Sequence, residues 1–237
     1  MTFLKLSSLV LLFVATIGSF ASASCSKASV SGVWGFQIGT AIGQFTADGR
    51  GDVTAGSLII NQHGTILKET FTGTYSVASG CTGSLAIKAT GIGTVTVNFV
   101  LDNSNKGAQM IDTTTGSVAD GIGSVEGGTC GVSEAAGSYA ALLLGKTTTA
   151  KIAYVAQVIL DGRGNVSGTG TFDLSGVIHV ASLTGTYTEG SNCEGSIRMM
   201  PEGLTAMNFD FIVVNAGKEL LLLETDSDAS VAGNMQR

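Results

Sequence analysis

The feature that most constrains this chain is that its sequence occurs twice. Phe71-Thr72-Gly73-Thr74-Tyr75 returns as Leu183-Thr184-Gly185-Thr186-Tyr187, and Cys81-Thr82-Gly83-Ser84-Leu85 returns as Cys193-Glu194-Gly195-Ser196-Ile197. Asn98-Phe99-Val100-Leu101 returns as Asp210-Phe211-Ile212-Val213, and all three pairs lie at an offset of 112. Asp48-Gly49-Arg50-Gly51-Asp52-Val53 returns as Asp161-Gly162-Arg163-Gly164-Asn165-Val166 at an offset of 113, while Cys25 and Trp34 return as Cys130 and Tyr139 at 105. The drift places insertions near the start of the second copy, around residues 146–150. Two domains follow, 24–128 and 129–237, joined at Glu126-Gly127-Gly128-Thr129.

Each copy reads as short strands. The first gives 32–38, 43–47, 53–61, 66–77, 83–89, 94–101, 108–113 and 117–123, separated by Asp48-Gly49, His63-Gly64, Ser79-Gly80 and similar turn pairs. Thr and Val dominate these segments, and Val95, Val97, Phe99 and Leu101 alternate on one face. No segment after residue 23 carries a helical stripe. Eight antiparallel strands in about a hundred residues suggest closure into a small barrel, which removes sheet edges. The expected fold is all-β, two tandem eight-stranded antiparallel barrels packed together. Leu220-Leu221-Leu222-Leu223 and Ile212-Val213-Val214 are apolar on both faces, so their outer face must be covered too. The simplest cover is the other copy, arranged as a pseudo-two-fold pair.

The cysteines follow the same frame. Four cysteines allow three pairings, and only Cys25 with Cys81 and Cys130 with Cys193 keeps the copies alike and self-contained. Each bridge would close a long loop, worth about 4 kcal/mol in the chain-entropy model. A metal site is the poorer reading, because no C-x-x-C spacing occurs and His63 and His179 do not occupy equivalent positions.

Residues 1–23 have the pattern of a removable secretory signal: Lys5, an apolar stretch at 9–17, then Ala21-Ser22-Ala23. The chain is therefore expected to be secreted or periplasmic, with no transmembrane segment after cleavage. Four Tyr and one Trp cannot form the two aromatic girdles of an outer-membrane barrel. The formal net charge is −6 and no Lys/Arg cluster occurs, which argues against nucleic acid and anionic membranes as partners.

Three patterns then carry a resemblance: Phe-Thr-Ala-Asp-Gly-x-Gly-x-Val-Thr at 45–54, Thr-Gly-Thr-Tyr-x-Val…Cys-Thr-Gly-Ser-Leu at 72–85, and Phe-Asp-Phe-Ile-Val-Val-x-x-Gly-Lys-Glu at 209–219. Together they resemble a secreted bacterial family with an allene oxide cyclase-like, calycin-type barrel. The resemblance implies the barrel fold and, in the enzymes that share it, cyclisation of a reactive substrate inside an apolar cavity. The tandem arrangement and the low aromatic content depart from it.

Candidate chemistry is sparse. Tyr75 and Tyr187 follow Gly-Thr in both copies and could donate to a carbonyl or epoxide oxygen; as scaffold, each is a half-buried ring with its hydroxyl at the rim. Asn98/Asp210 and Asp112/Glu224 put amides or acids at matched positions on apolar strands. Turned inward, their acids would be raised by burial and serve as general acids; alternation aims Asp210 outward. Asp226 and Asp228 read as a solvated turn. Arg50-Gly51-Asp52 is an adhesion string, but copy two keeps the turn and breaks the string. His179, between Ile178 and Val180, is assigned to the outer face. No phosphate loop, H-E-x-x-H or G-x-S-x-G occurs, and no cofactor is implied.

The leading expectation is a non-catalytic binding or scaffold module for a small apolar ligand, held where small Ala, Gly and Thr side chains leave room inside a barrel. An isomerase or cyclase acting by confinement, using Tyr75, Tyr187, Asp210 or Glu224, is the second. A structural or adhesive subunit that self-associates is the third; only 13% of residues are charged, which suits it.

Overall fold

The computed structural model describes residues 24–62 and 64–237; the expected leader and His63 lie outside the described residues. A short 3-10 turn, Lys27–Val30, precedes the first barrel. That barrel runs β1 Gly32–Ile38, β2 Ala41–Ala47, β3 Asp52–Gln62, β4 Thr65–Val77, β5 Thr82–Ala89, β6 Gly93–Leu101, β7 Gly107–Asp112 and β8 Asp120–Val125. The second runs β9 Gly137–Thr147, β10 Lys151–Leu160, β11 Asn165–Leu174, β12 Val177–Glu189, β13 Glu194–Pro201, β14 Met207–Val214, β15 Glu219–Glu224 and β16 Ala229–Gln236. Within each barrel every strand pairs antiparallel with the next, and β8 with β1 and β16 with β9 close the two barrels.

The strand reading holds with one displacement. The eighth strand begins at Asp120, not 117, because Ser117 is used in the preceding turn, where its hydroxyl bonds the Asp112 carboxylate. The shifts in offset have structural causes. Trp34 pairs with Phe45, and Tyr139 with Val158, so eight residues are inserted in the β9–β10 hairpin. In the first barrel this hairpin turns at Gly39-Thr40; in the second it continues to the 148–150 turn. A β-bulge in β3 between Val53 and Gly56 accounts for the change from 113 to 112.

The barrel interiors are filled, which corrects the expectation that small side chains leave them roomy. Trp34, Phe36, Phe45, Phe71 and Phe99 pack the first; Tyr154, Phe172, Phe209 and Phe211 pack the second. The glycines make this possible. A Cβ on Gly83 would lie 2.2 Å from the Phe99 ring, and one on Gly195 would lie 2.3 Å from the Phe211 ring. These are cross-strand neighbours, so each ring lies down over the glycine opposite. The residual void inside the first barrel is about 10 Å³, room for about one water.

One end of each barrel is plugged in the same way. The Trp34 indole donates to Val30 O at 2.9 Å and the Tyr139 hydroxyl to Ala135 O at 2.9 Å. Tyr75 donates to Lys27 O at 3.0 Å and Tyr187 to Val132 O at 2.8 Å. Disulfides Cys25–Cys81 and Cys130–Cys193 tie each plug to the following hairpin.

The barrels pack on each other through a third apolar cluster: Ile42 and Ile59 from the first, Ile212, Val214, Leu221, Leu223 and Ala232 from the second. Alternation explains the doubly apolar strands. Leu220 and Leu222 face the interior of their own barrel, while Leu221 and Leu223 face the other barrel, and all four are fully buried. Each such side chain contributes about 1.5–3 kcal/mol by burial. Approach is close at Gly35, where a Cβ would meet Val214 Cγ1 at 2.4 Å. Asn61, 1% exposed, clasps the contact by donating its amide to Glu224 O and Ala229 O, both at 2.7 Å. The packing is not pseudo-two-fold as expected: β1–β3 of the first copy meet β14–β16 of the second, so the copies present different faces. Among the described residues no helix is long and apolar enough to cross a membrane.

Candidate ligand pocket

The four candidate residues separate clearly. Tyr75 and Tyr187 are plug fasteners: their hydroxyls are committed to Lys27 O and Val132 O, and Tyr187 also accepts the Gly162 amide at 2.9 Å. Burial raises both phenols above their ordinary value, which leaves them neutral donors. Asp210 points outward, as its alternation requires, and pairs with Lys68 across the barrel contact at 2.9 Å. Neither tyrosine nor Asp210 lines a cavity in the second barrel's open end. Glu224 does.

Glu224 closes β15 with the same parity as Leu220 and Leu222, and its cross-strand partner is Phe209 of the barrel core. The parity turns its side chain inward at the end opposite the plug. There the second barrel opens into a cavity of about 450 Å³ lined by Ile152, Tyr154, Phe172, Leu204, Met207 and Glu224, with Asp226 and Asp228 at the rim. The β9–β10 extension supplies part of the wall through Thr147 and Ile152. Glu224 is 3% exposed and its Oε2 has no hydrogen-bond partner. Burial, the nearby Asp226 and Asp228 charges and a side-chain hydrogen bond with Asp226 push its pKa up to about 8. The neutral form of the carboxyl is thereby favoured, with Asp226 as one partner and Oε2 left open beside the cavity. Tyr154, also desolvated, is raised strongly.

The first barrel shows what the same position does when it is structural. The counterpart of Glu224 is Asp112, whose carboxylate accepts from Thr114 N at 2.8 Å and from the Ser117 hydroxyl. Burial opposes ionisation there, but these bonds from Ser117 and Thr114 hold its pKa below the ordinary range. The sequence paired Asp112 with Glu224; it carried no sign that one would be satisfied by its own turn and the other left open.

The remaining motifs resolve as architecture. Asp48 Oδ1 accepts the amides of Arg50, Gly51 and Asp52, so the adhesion string is a hairpin turn, and Asp161 repeats it with Arg163 and Asn165. His179 shares the face of its cross-strand partner Phe172, so it lies on the inner side and corrects the outward assignment; Ile178 and Val180 take the outside. Glu126 lies beside Cys130 and Cys193 in a metal-like group, but the two sulfurs are bonded to each other. No protein-family model matches the sequence, and no curated protein matches it.

Proposed function

We propose that this protein is a binding module that takes one small, mainly apolar molecule carrying an oxygen acceptor into the mouth of the second barrel. The observation that carries this reading is the buried Glu224, its Oε2 without a hydrogen-bond partner, in the wall of a cavity of about 450 Å³ that Tyr154, Phe172, Leu204 and Met207 line and Asp226 and Asp228 rim. Apolar walls supply affinity and the carboxyl fixes orientation. The two disulfides suit an oxidising compartment. With the leader pattern, this supports a secreted or periplasmic setting and kinship with the allene oxide cyclase-like secreted proteins of bacteria.

A neutral carboxylic acid held against an apolar cavity is also what a cyclase acting by confinement would need, so Glu224 serves as the general acid of the second reading. The two readings share a site and differ in turnover.

Titration with the neutral dye Nile red, followed by displacement with medium-chain ketones, tests the site. Saturable one-site binding is expected, weakened about tenfold by Glu224→Leu, the worth of one hydrogen bond to a buried partner. Binding should also weaken above pH 8 as Glu224 ionises. No saturable binding, or binding indifferent both to Glu224→Leu and to Ala206→Trp, which would fill the cavity from its own lining, would overturn the proposal.

A further inference from the structure

The barrel contact described above uses a face of β1–β4 in the first copy. Because the copies share a fold, the second copy has the same face on β9–β12; there β10–β12 are open, and Leu142 on β9 borders a cleft beside Gln37 and Ile122 of the first barrel. In the first barrel, register aligns Gln37, Ile42, Ile59 and Lys68 in one row across the four strands. Ile42 and Ile59 are buried by β14 and β15, and Lys68 pairs with Asp210. The equivalent row in the second barrel is Leu142, Val155, Thr171 and Val180. Leu142 is 49% exposed, Val155 60% and Val180 80%; Ile178 on the same side is 58% exposed. Apolar side chains in open solvent, in register with a row whose centre, Ile42 and Ile59, is buried one copy earlier, form a docking face without its occupant.

The occupant follows from the same equivalence. In the first copy, the face matching β14–β15 is the outer side of β6 and β7. Its positions 100 and 111 correspond to Ile212 and Leu223, and they are Val100 and Ile111, 50% and 52% exposed. They line an open depression of about 550 Å³. We infer that the β6–β7 face of one molecule docks on the β9–β12 face of the next, so that copies of this chain associate head to tail.

Two contacts carried over between the copies fit this pairing. The ion pair Lys68–Asp210 becomes Val180 against Asn98, so both charges are lost together and neither would be left unpaired. Gln44 and Ser57, which donate to Glu194 at 2.8 and 2.6 Å, keep their chemistry as Gln157 and Thr169; the facing residue becomes Thr82, a neutral partner. The contact is weaker than the internal one. Leu221 is replaced by Gln109, Val214 by Asp102 and Ala232 by Asp120, and the clasp Asn61 by Asp173, which has no amide to donate. Association is therefore reversible and depends on concentration. The two docking faces are different surfaces, so each molecule has one of each and growth does not stop at a dimer unless a ring closes.

Sedimentation velocity on the oxidised protein from residue 24 onward, from micromolar to millimolar, is the test. The mass average should rise beyond the dimer. Val155→Asp/Val180→Asp and Val100→Asp/Ile111→Asp, all on exposed positions, should each give monomers with unchanged melting temperature. Mixed in equal amounts, the two variants should form a 1:1 dimer and nothing larger, because one intact pair of faces remains. A wild type that stays monomeric at millimolar concentration overturns the inference. So does assembly that survives the β6–β7 substitutions, or variants that fail to complement, since both would place the contact elsewhere or make it self-complementary.

Discussion

At the scale of single residues, Glu224 makes stability depend on pH in a definite sense. Its carboxyl has an ordinary value of 4.5 and is pushed up to about 8 in the fold. Between those values the unfolded chain has released the proton and the folded one retains it. Stability is therefore fullest below about pH 4.5, falls as pH rises, and levels off above about pH 8. Glu126, raised to about 7 by burial and by Glu194, acts in the same direction. Glu224→Gln should flatten the slope over that window and stabilise the protein near pH 8 by a few kcal/mol at most. Urea denaturation at a series of pH values measures it; a variant with the wild-type slope would show that the carboxyl is already solvated.

At the scale of elements, the β9–β10 extension sets the two barrels apart at their open ends. Its additional residues raise a wall at the open end of the second barrel, whereas the first turns at Gly39-Thr40. Replacing residues 144–153 by a Gly-Thr turn should leave the barrel closed and its far-ultraviolet dichroism strand-like while removing Nile red binding. Binding retained by the shortened hairpin would put the ligand elsewhere. The extension was visible in sequence as a jump in offset, because insertions register directly in a repeat. The strands were equally legible, since alternation and Asp-Gly turns are local signals. What escaped was the direction of packing. Leu220–Leu223 announced a covered face, yet nothing local says which surface of the other copy covers it, and symmetry was the wrong guide. The pocket escaped for a related reason: Tyr75 and Tyr187 stood out by repetition, and repetition marked the plugs common to both barrels, whereas the open site lies where the copies differ.

At the scale of the molecule, the two barrels should behave as one unit on heating. The residues that join them, Ile42, Ile59, Leu221 and Leu223, are as buried as the barrel interiors. Calorimetry should show a single transition, and Leu221→Asp should split it into two by placing an unpaired charge in the contact. Two transitions in the wild type would mean that the barrels are merely tethered.

The order of synthesis gives this contact a temporal side. The first barrel has all its strands once Val125 has been made, and its disulfide needs nothing beyond Cys81. The strands that cover Ile42 and Ile59 begin only at Met207. A nascent chain thus carries a finished barrel with a bare side until its own second half arrives. During that interval a neighbouring chain's β14 and β15 present the same complementary shape as its own. Local chain density then decides between a monomer and an exchanged pair, and slow production of well-separated chains favours the self-contained product.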